Sequence, residues 1–194
     1  MNQEAETGWA KVKELGSRIS WQDVGPLIAV FALMVLGTAI NPTFLSMGNL
    51  TNVFTRSAFT GIIAIGATFV IGTGSIDLSV GSMAAFNSGV MIIFMNYLVQ
   101  HWGATWATVT AAMALSLLLG AAGGLVNGLV ITKGRIESFI VTLGTMGIFR
   151  SLVTYLANGG TLSLNLPVRG LYRPVYYGTF LKIPIPLIIF CLVA

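Results

Sequence analysis

Charge is what this sequence has least of. Acidic and basic residues make up 8% of its 194 positions, against about 25% in an ordinary soluble domain, too few to wet a globular surface. Between Asp77 and Lys133 no side chain carries a formal charge, a stretch with room for two bilayer crossings of about 20 apolar residues each. Thiols are nearly absent: the one cysteine, Cys191, excludes an internal disulfide and says nothing of the redox compartment. Lying in an apolar run, it reads as a small buried hydrophobe. His101 is the one histidine, so no second imidazole exists to build a metal site or a proton relay. The G-x-x-x-x-G-K-[ST] loop, H-E-x-x-H and G-x-S-x-G are all missing, which excludes a Walker-type phosphate cradle, a zincin and a nucleophile elbow. No catalytic residue, bound metal or cofactor is expected in this chain. The net charge of +4 comes from basic residues scattered among apolar blocks, not gathered with aromatics on one face, so nucleic acid is not an expected partner.

What the chain has in quantity is apolar sequence, at 55%. Six segments stand out: Val24 to Ile40, Val53 to Gly72, Ser79 to Val99, Ala107 to Ile131, Phe139 to Ala157, and one starting near Ile183. None alternates as a barrel strand does, and a helix satisfies its own backbone in lipid. The expectation is an all-α, polytopic transmembrane bundle of about six segments. The sixth provides about half the length of a crossing, so the sequence reads as the amino-terminal part of a longer membrane domain, 24–194. Residues 1–23 are polar and mixed in charge, unlike a secretory signal, and read as a cytoplasmic tail.

Lys11, Lys13 and Arg18 precede the first segment, and Lys133 and Arg135 follow the fourth. An even number of crossings separates them, so the positive-inside rule puts both groups, and the amino terminus, in the cytoplasm. Arg169, Arg173 and Lys182 oppose this from the connection 158–182, where the greater length of the loop lowers their weight. Tyr97, Trp102 and Trp106 flank the turn between the third and fourth segments, and Tyr172, Tyr176 and Tyr177 lie in the long connection, as rings at headgroup level do. His101, among the first group, reads as a solvated interfacial side chain.

Polar residues within apolar sequence mark the candidate sites. Gly72, Gly74, Ser75 and Gly81 punctuate the stretch 72–82 and are expected to form a helix break, because glycine makes helix continuation costly. The freed backbone groups must then be buried in protein or line a wet cavity. Asp77 sits in that break, and a carboxylate at membrane depth costs about 2.5 to 3.5 kcal/mol. It reads either as a substrate-pathway or gating group or as an N-cap for the helix beginning at Ser79. Gly120, Gly124 and Gly128 recur every fourth residue and offer a small-residue packing face. Asn87, Asn96 and Asn127 should face protein, bonding between helices or lining a polar path. Glu137 or Ser138 is placed to cap the fifth helix, and Arg135 to pair with Glu137 at the surface. Arg150, deeper in that helix, has Asp77 as its one available acidic partner. The candidate pathway set is Asp77, Ser79, Asn87, Asn127 and Arg150.

Taken together, Gly-Ser-Ile-Asp-Leu-Ser-Val-Gly-Ser (74–82) and Phe-Ile-Val-Thr-Leu-Gly-Thr-Met (139–146) resemble two signatures of the ribose/xylose/arabinose-type sugar permeases of ATP-binding-cassette importers. Asn41-Pro-Thr-Phe-Leu-Ser, Asn49-Leu-Thr-Asn-Val, Ala64-Ile-Gly-Ala-Thr and Asn127-Gly follow in the family's order, extending the likeness over roughly 24–160. Ser75, Glu137-Ser138 and Ser151 depart from the usual pattern, where glycine, prolines and glycine are common. The resemblance implies an inner-membrane subunit that pairs with a second permease, as homodimer or heterodimer, and takes monosaccharide from a periplasmic binding protein. It implies that ATP is hydrolysed on separate cytoplasmic ATPase subunits, docked to a loop in the family's second half. An ion-coupled secondary transporter, with Asp77 and Arg150 as coupling residues, and a non-transporting membrane scaffold are the competing readings.

Overall fold

The computed structural model describes residues 21–181 and 183–194, the first three by backbone alone. The expected tail, including Lys11, Lys13 and Arg18, and also Lys182, thus lies outside the described residues. Seven helices occur among them: α1 Trp21–Ile40, α2 Met47–Gly72, α3 Val80–Trp102, α4 Trp106–Gly134, α5 Ser138–Leu156, α6 Leu166–Tyr177 and α7 Ile185–Val193. A two-residue antiparallel pair, β1 Thr179–Phe180 and β2 Ile183–Pro184, joins α6 to α7. Helices α2 to α5 are each long and apolar enough to cross a membrane; the apolar part of α1, Val24–Ile40, is shorter. The expected helical bundle is what forms, and its apolar side chains point largely away from the protein, with Leu117 76% and Phe69 75% exposed. In water such a surface would be untenable; in lipid it is the solvated face.

The chain divides into two compact units, 1–52 and 53–194. In the first, α1 ends in a turn that closes on itself. Asn41 Oδ1 accepts from the Thr43 amide and hydroxyl, at 3.0 and 2.7 Å. Asn49 donates from Nδ2 to the Phe44 carbonyl at 2.7 Å, and its amide donates to the Ser46 hydroxyl, which therefore caps the start of α2. The Phe44 ring lies over Gly37, where an added Cβ would meet it at 3.0 Å.

In the second unit α3 packs most extensively on α4 and α5. Phe86 meets Phe149 across α3 and α5, ring centroids 5.5 Å apart. A core of Met95, Val109, Ala112 and Val168 joins the end of α3, the start of α4 and α6. The expected connection 158–182 therefore contains a helix. Its apolar stripe, Val168, Leu171, Tyr172 and Val175, has the spacing of a buried helix face. Pro167, at a tolerated first-turn position, and Pro174 disguise it in sequence. The sixth apolar segment is α7, whose Phe190 packs on Gly61 of α2 so closely that a Cβ there would lie 2.5 Å from the ring.

Candidate functional site

The end of α2 sets the geometry of the break. The Ser75 amide donates to the Val70 carbonyl at 3.3 Å and the Gly74 amide to the Ile71 carbonyl at 2.8 Å. This nested pair is a Schellman ending, with Gly74 at φ +78° in the left-handed position that favours glycine. Of the four residues expected to break the helix, Gly72 ends α2 and Gly74 turns the chain, with Ser75 following; Gly81 instead lies inside the first turn of α3. Its placement follows from Ser79, which starts the helix as N-cap at φ −82°.

Asp77 is not the N-cap. One oxygen, Oδ1, accepts from both the Ser79 amide and the Ser79 hydroxyl, each at 2.7 Å, so the carboxylate closes a turn two residues long. Ser79 is fully buried, and its hydroxyl accepts in turn from Asn127 Nδ2 at 3.0 Å. The result is a directional chain, Asn127 to Ser79 to Asp77, linking α4 to the break. A second set of contacts ties the break to α5: the Ile76 amide donates to the Ser138 hydroxyl at 3.2 Å, and the Thr142 hydroxyl, bonded to the Ser138 carbonyl at 2.8 Å, shares its proton with the Ile76 carbonyl at 3.3 Å. Backbone groups of Ile76, freed by the break, are thus met by side chains of α5, as a non-helical segment in lipid requires.

These bonds also reassign the entry to α5. Glu137 occupies its N-cap position without a side-chain cap bond, because Ser138 is directed to Ile76 instead. Arg135, at φ +53°, ends α4, and no ion pair with Glu137 forms among the described residues.

Asp77 and Arg150 are not partners. Arg150 lies twelve residues beyond Ser138 on α5, about 18 Å along the helix, exposed beside an open cleft of about 630 Å³ lined also by Ser151, Thr154, Tyr155 and Asn158. The two ends of one helix cannot present them to each other.

Asn127 is 4% exposed, yet its Oδ1 accepts no hydrogen bond. The same is true of the buried Oδ1 of Asn87, whose Nδ2 lies 3.1 Å from where a Cβ on Gly120 would be. Gly120 and Asn127 are seven residues apart on α4, and Ser79 and Asn87 eight apart about α3. These are two rungs about 10 to 12 Å apart on one α3–α4 seam. A buried carbonyl oxygen without a donor costs about 1 to 3 kcal/mol, and such an atom is where a water or a ligand hydroxyl is accommodated. The packing glycines of α4 are Gly120 and Gly123, the latter against Met83 and Phe149. Gly124 and Gly128 have no atom of another element within 4 Å, so the fourfold spacing does not coincide with the contact face.

Asn96 does other work: its Nδ2 donates to the Ser163 carbonyl and its Oδ1 accepts from the Asn165 amide, both at 2.9 Å, pinning the segment that leads into α6. One participant escaped the sequence reading as a site residue. Thr142 lay within the quoted 139–146 motif, which was its available signal.

The family model described as branched-chain amino acid transport system / permease component matches residues 49–193. The ribose import permease protein RbsC of Bacillus subtilis is 37% identical over 172 residues, 86% of this chain and 49% of that protein. RbsC of Escherichia coli K12 is 34% identical over 137 residues, 71% of this chain and 40% of its own. The autoinducer 2 import system permease protein LsrC of Photorhabdus luminescens is 33% identical over 138 residues, 71% of this chain and 39% of its own. The chain spans about half the length, or less, of these curated relatives. No solved structure matches it. With the break, the α3–α4 seam and the entry to α5 all inside the matched span, the chain belongs to the family of branched-chain amino acid transport system permease components.

Proposed function

We propose that this chain is part of the membrane-spanning permease subunit of an ATP-binding-cassette importer that passes a monosaccharide across the inner membrane. Sugar arrives from a periplasmic binding protein, a second permease subunit completes the passage, and ATP is hydrolysed on separate cytoplasmic ATPase subunits. The chain itself performs no catalysis. The observation that carries this reading is the α3–α4 seam, where Asn87 and Asn127 each hold a buried carbonyl oxygen without a donor. Amide oxygens suit the hydroxyls of a neutral polyol, and the region from Ser79 to Asn127 holds no charge that would select an ion. The relatives named for ribose import extend the argument from chemistry to substrate class.

Asp77, Ser79, Asn87 and Asn127 form or adjoin the path in this proposal, while Arg150 acts at the far end of α5. The amino terminus is placed in the cytoplasm. The Ile76–Ser138 bond sets the break beside the α4–α5 connection, and Lys133 and Arg135 give that side its positive charge.

The test is uptake by the full-length protein reconstituted with its binding protein and ATPase. Uptake that persists when proton and sodium gradients collapse, stops without ATP, and is accompanied by sugar-stimulated ATP hydrolysis is the expected result. Uptake that follows an ion gradient instead would make the protein a secondary transporter. Absence of both transport and stimulated hydrolysis would leave a scaffold.

A further inference from the structure

Helix α6 has two faces of different chemistry. Val168 is fully buried against Met95, Val109 and Ala112, while Arg169 and Arg173, one helical turn apart, are exposed on the other side. Met95 lies seven residues before the end of α3, and Val109 three residues after the start of α4, so α6 sits about 5 to 10 Å in from the end of that hairpin. Trp102 and Trp106, each more than half exposed, mark the end itself as the aromatic belt. An amphipathic helix at the boundary of headgroups and acyl chains lies at this depth.

Around the two arginines is a groove of about 700 Å³, walled by Leu164, Leu166, Tyr172, Tyr176 and Tyr177 as well. Gly170, between the arginines, has nothing within 4 Å of where a Cβ would stand, which leaves the floor open. Neither guanidinium makes an ion pair or hydrogen bond among the described residues, and the sequence has no acidic residue after Glu137. An anion for this groove must therefore come from outside the segment. Two guanidinium forks one turn apart match the oxygens of a phosphate, tyrosine hydroxyls add donors, and Leu166, 81% exposed, offers apolar surface for the carbons that follow a headgroup.

We propose that the α6 groove is a binding site for the phosphate headgroup of an anionic phospholipid, held by Arg169 and Arg173 at the membrane interface. Membrane depth, aromatic belt and apolar wall favour a lipid over a soluble acidic partner, which would need no such burial. The site is independent of the proposed transport path.

The experiment uses the full-length protein in nanodiscs of mixed phosphatidylglycerol and phosphatidylcholine, with retained lipid counted by native mass spectrometry. Each basic residue near an anionic surface is worth about fivefold, so R169Q/R173Q is expected to lose phosphatidylglycerol preference by about 30-fold. R169K/R173K should retain part of it, and Lys133→Gln, on a different connection, should retain all of it. Circular dichroism and a monodisperse elution establish that the variants fold. Equal retention of the two lipids by the wild type, or an undiminished preference in R169Q/R173Q, overturns the proposal. So does displacement of the lipid by millimolar inorganic phosphate, which would make this a free-phosphate site. Selective binding of a soluble acidic protein through the same arginines, without lipid preference, overturns it in favour of a protein interface.

Discussion

Two polar interruptions separate the early helices, and they are held in opposite ways. In the turn 41–46 every side-chain bond reaches at most five residues: Asn41 to Thr43, Asn49 to Ser46 and to Phe44. The break 73–79 also contains local bonds, from Ser79 to Asp77, but further bonds reach 48, 62 and 66 residues, to Asn127, Ser138 and Thr142. The first is a local device that any short peptide segment carries with it. The long-range bonds of the second exist only when α3, α4 and α5 have assembled, which makes them responsive to their relative movement. Of the two segments, the break alone is tied to the packing of other helices.

The sharpest way to test this contrast is at Asp77. Two donors converge on one oxygen, and bonds to a charged acceptor are worth about 1.5 to 3 kcal/mol each, partly offset by relieving a half-buried carboxylate. Asp77→Ala should lower the stability of the full-length protein in detergent by about 2 kcal/mol, read as a shift in thermal unfolding. Asp77→Asn keeps an acceptor oxygen and should melt near the wild type. If the two variants fall together, the charge rather than the turn is what the site requires.

A smaller effect compares the regions directly. Asn127→Leu removes the bond from α4 to Ser79, an interhelical bond of about 0.6 to 2 kcal/mol. It should increase hydrogen exchange at the break and at the start of α3 together. Asn41→Ala removes two local bonds, at about 0.5 to 1.5 kcal/mol each, and should raise exchange at 41–46 while leaving 73–79 unchanged. Spread of the Asn41→Ala effect to the break would end the distinction between them.

The smallest expected effect lies on α6. Burial, with a lesser contribution from neighbouring Tyr176, raises the Tyr172 hydroxyl above its usual pKa of 10.0. The neutral form is the one favoured in the fold, so its stabilising contribution is whole below pH 10 and is lost as pH rises through the raised value. An ultraviolet titration of tyrosinate should show a late-ionising component in the wild type that is lost in Tyr172→Phe. The variant should also lose less α6 structure above pH 10.

Much of this was legible in the residues, for reasons that the elements make plain. Helices α2 to α5 announce themselves by length and apolarity because lipid permits no other backbone solution. Gly74 announces a turn because its backbone position disfavours a side chain. Helix α6 did not announce itself: its stripe is short, two prolines interrupt it, and its exposed face is basic. Asp77 with Arg150 looked like a pair because charge scarcity leaves each with few choices, yet scarcity carries no information on distance.

Sequence alone determined that this chain dissolves in a bilayer, where its long apolar helices run, and that the stretch 72–82 interrupts them, since these follow from transfer energies and backbone freedom summed over neighbouring residues. Tertiary structure alone decided that Ser79 rather than Asp77 stands at the N-cap position of α3, that Asn127, Ser138 and Thr142 bond to the break, and that Gly120 and Gly123 rather than Gly124 and Gly128 meet other helices. Those outcomes depend on the rotation and axial offset of one helix against another, and a side chain's bonding partner is fixed only when both are set.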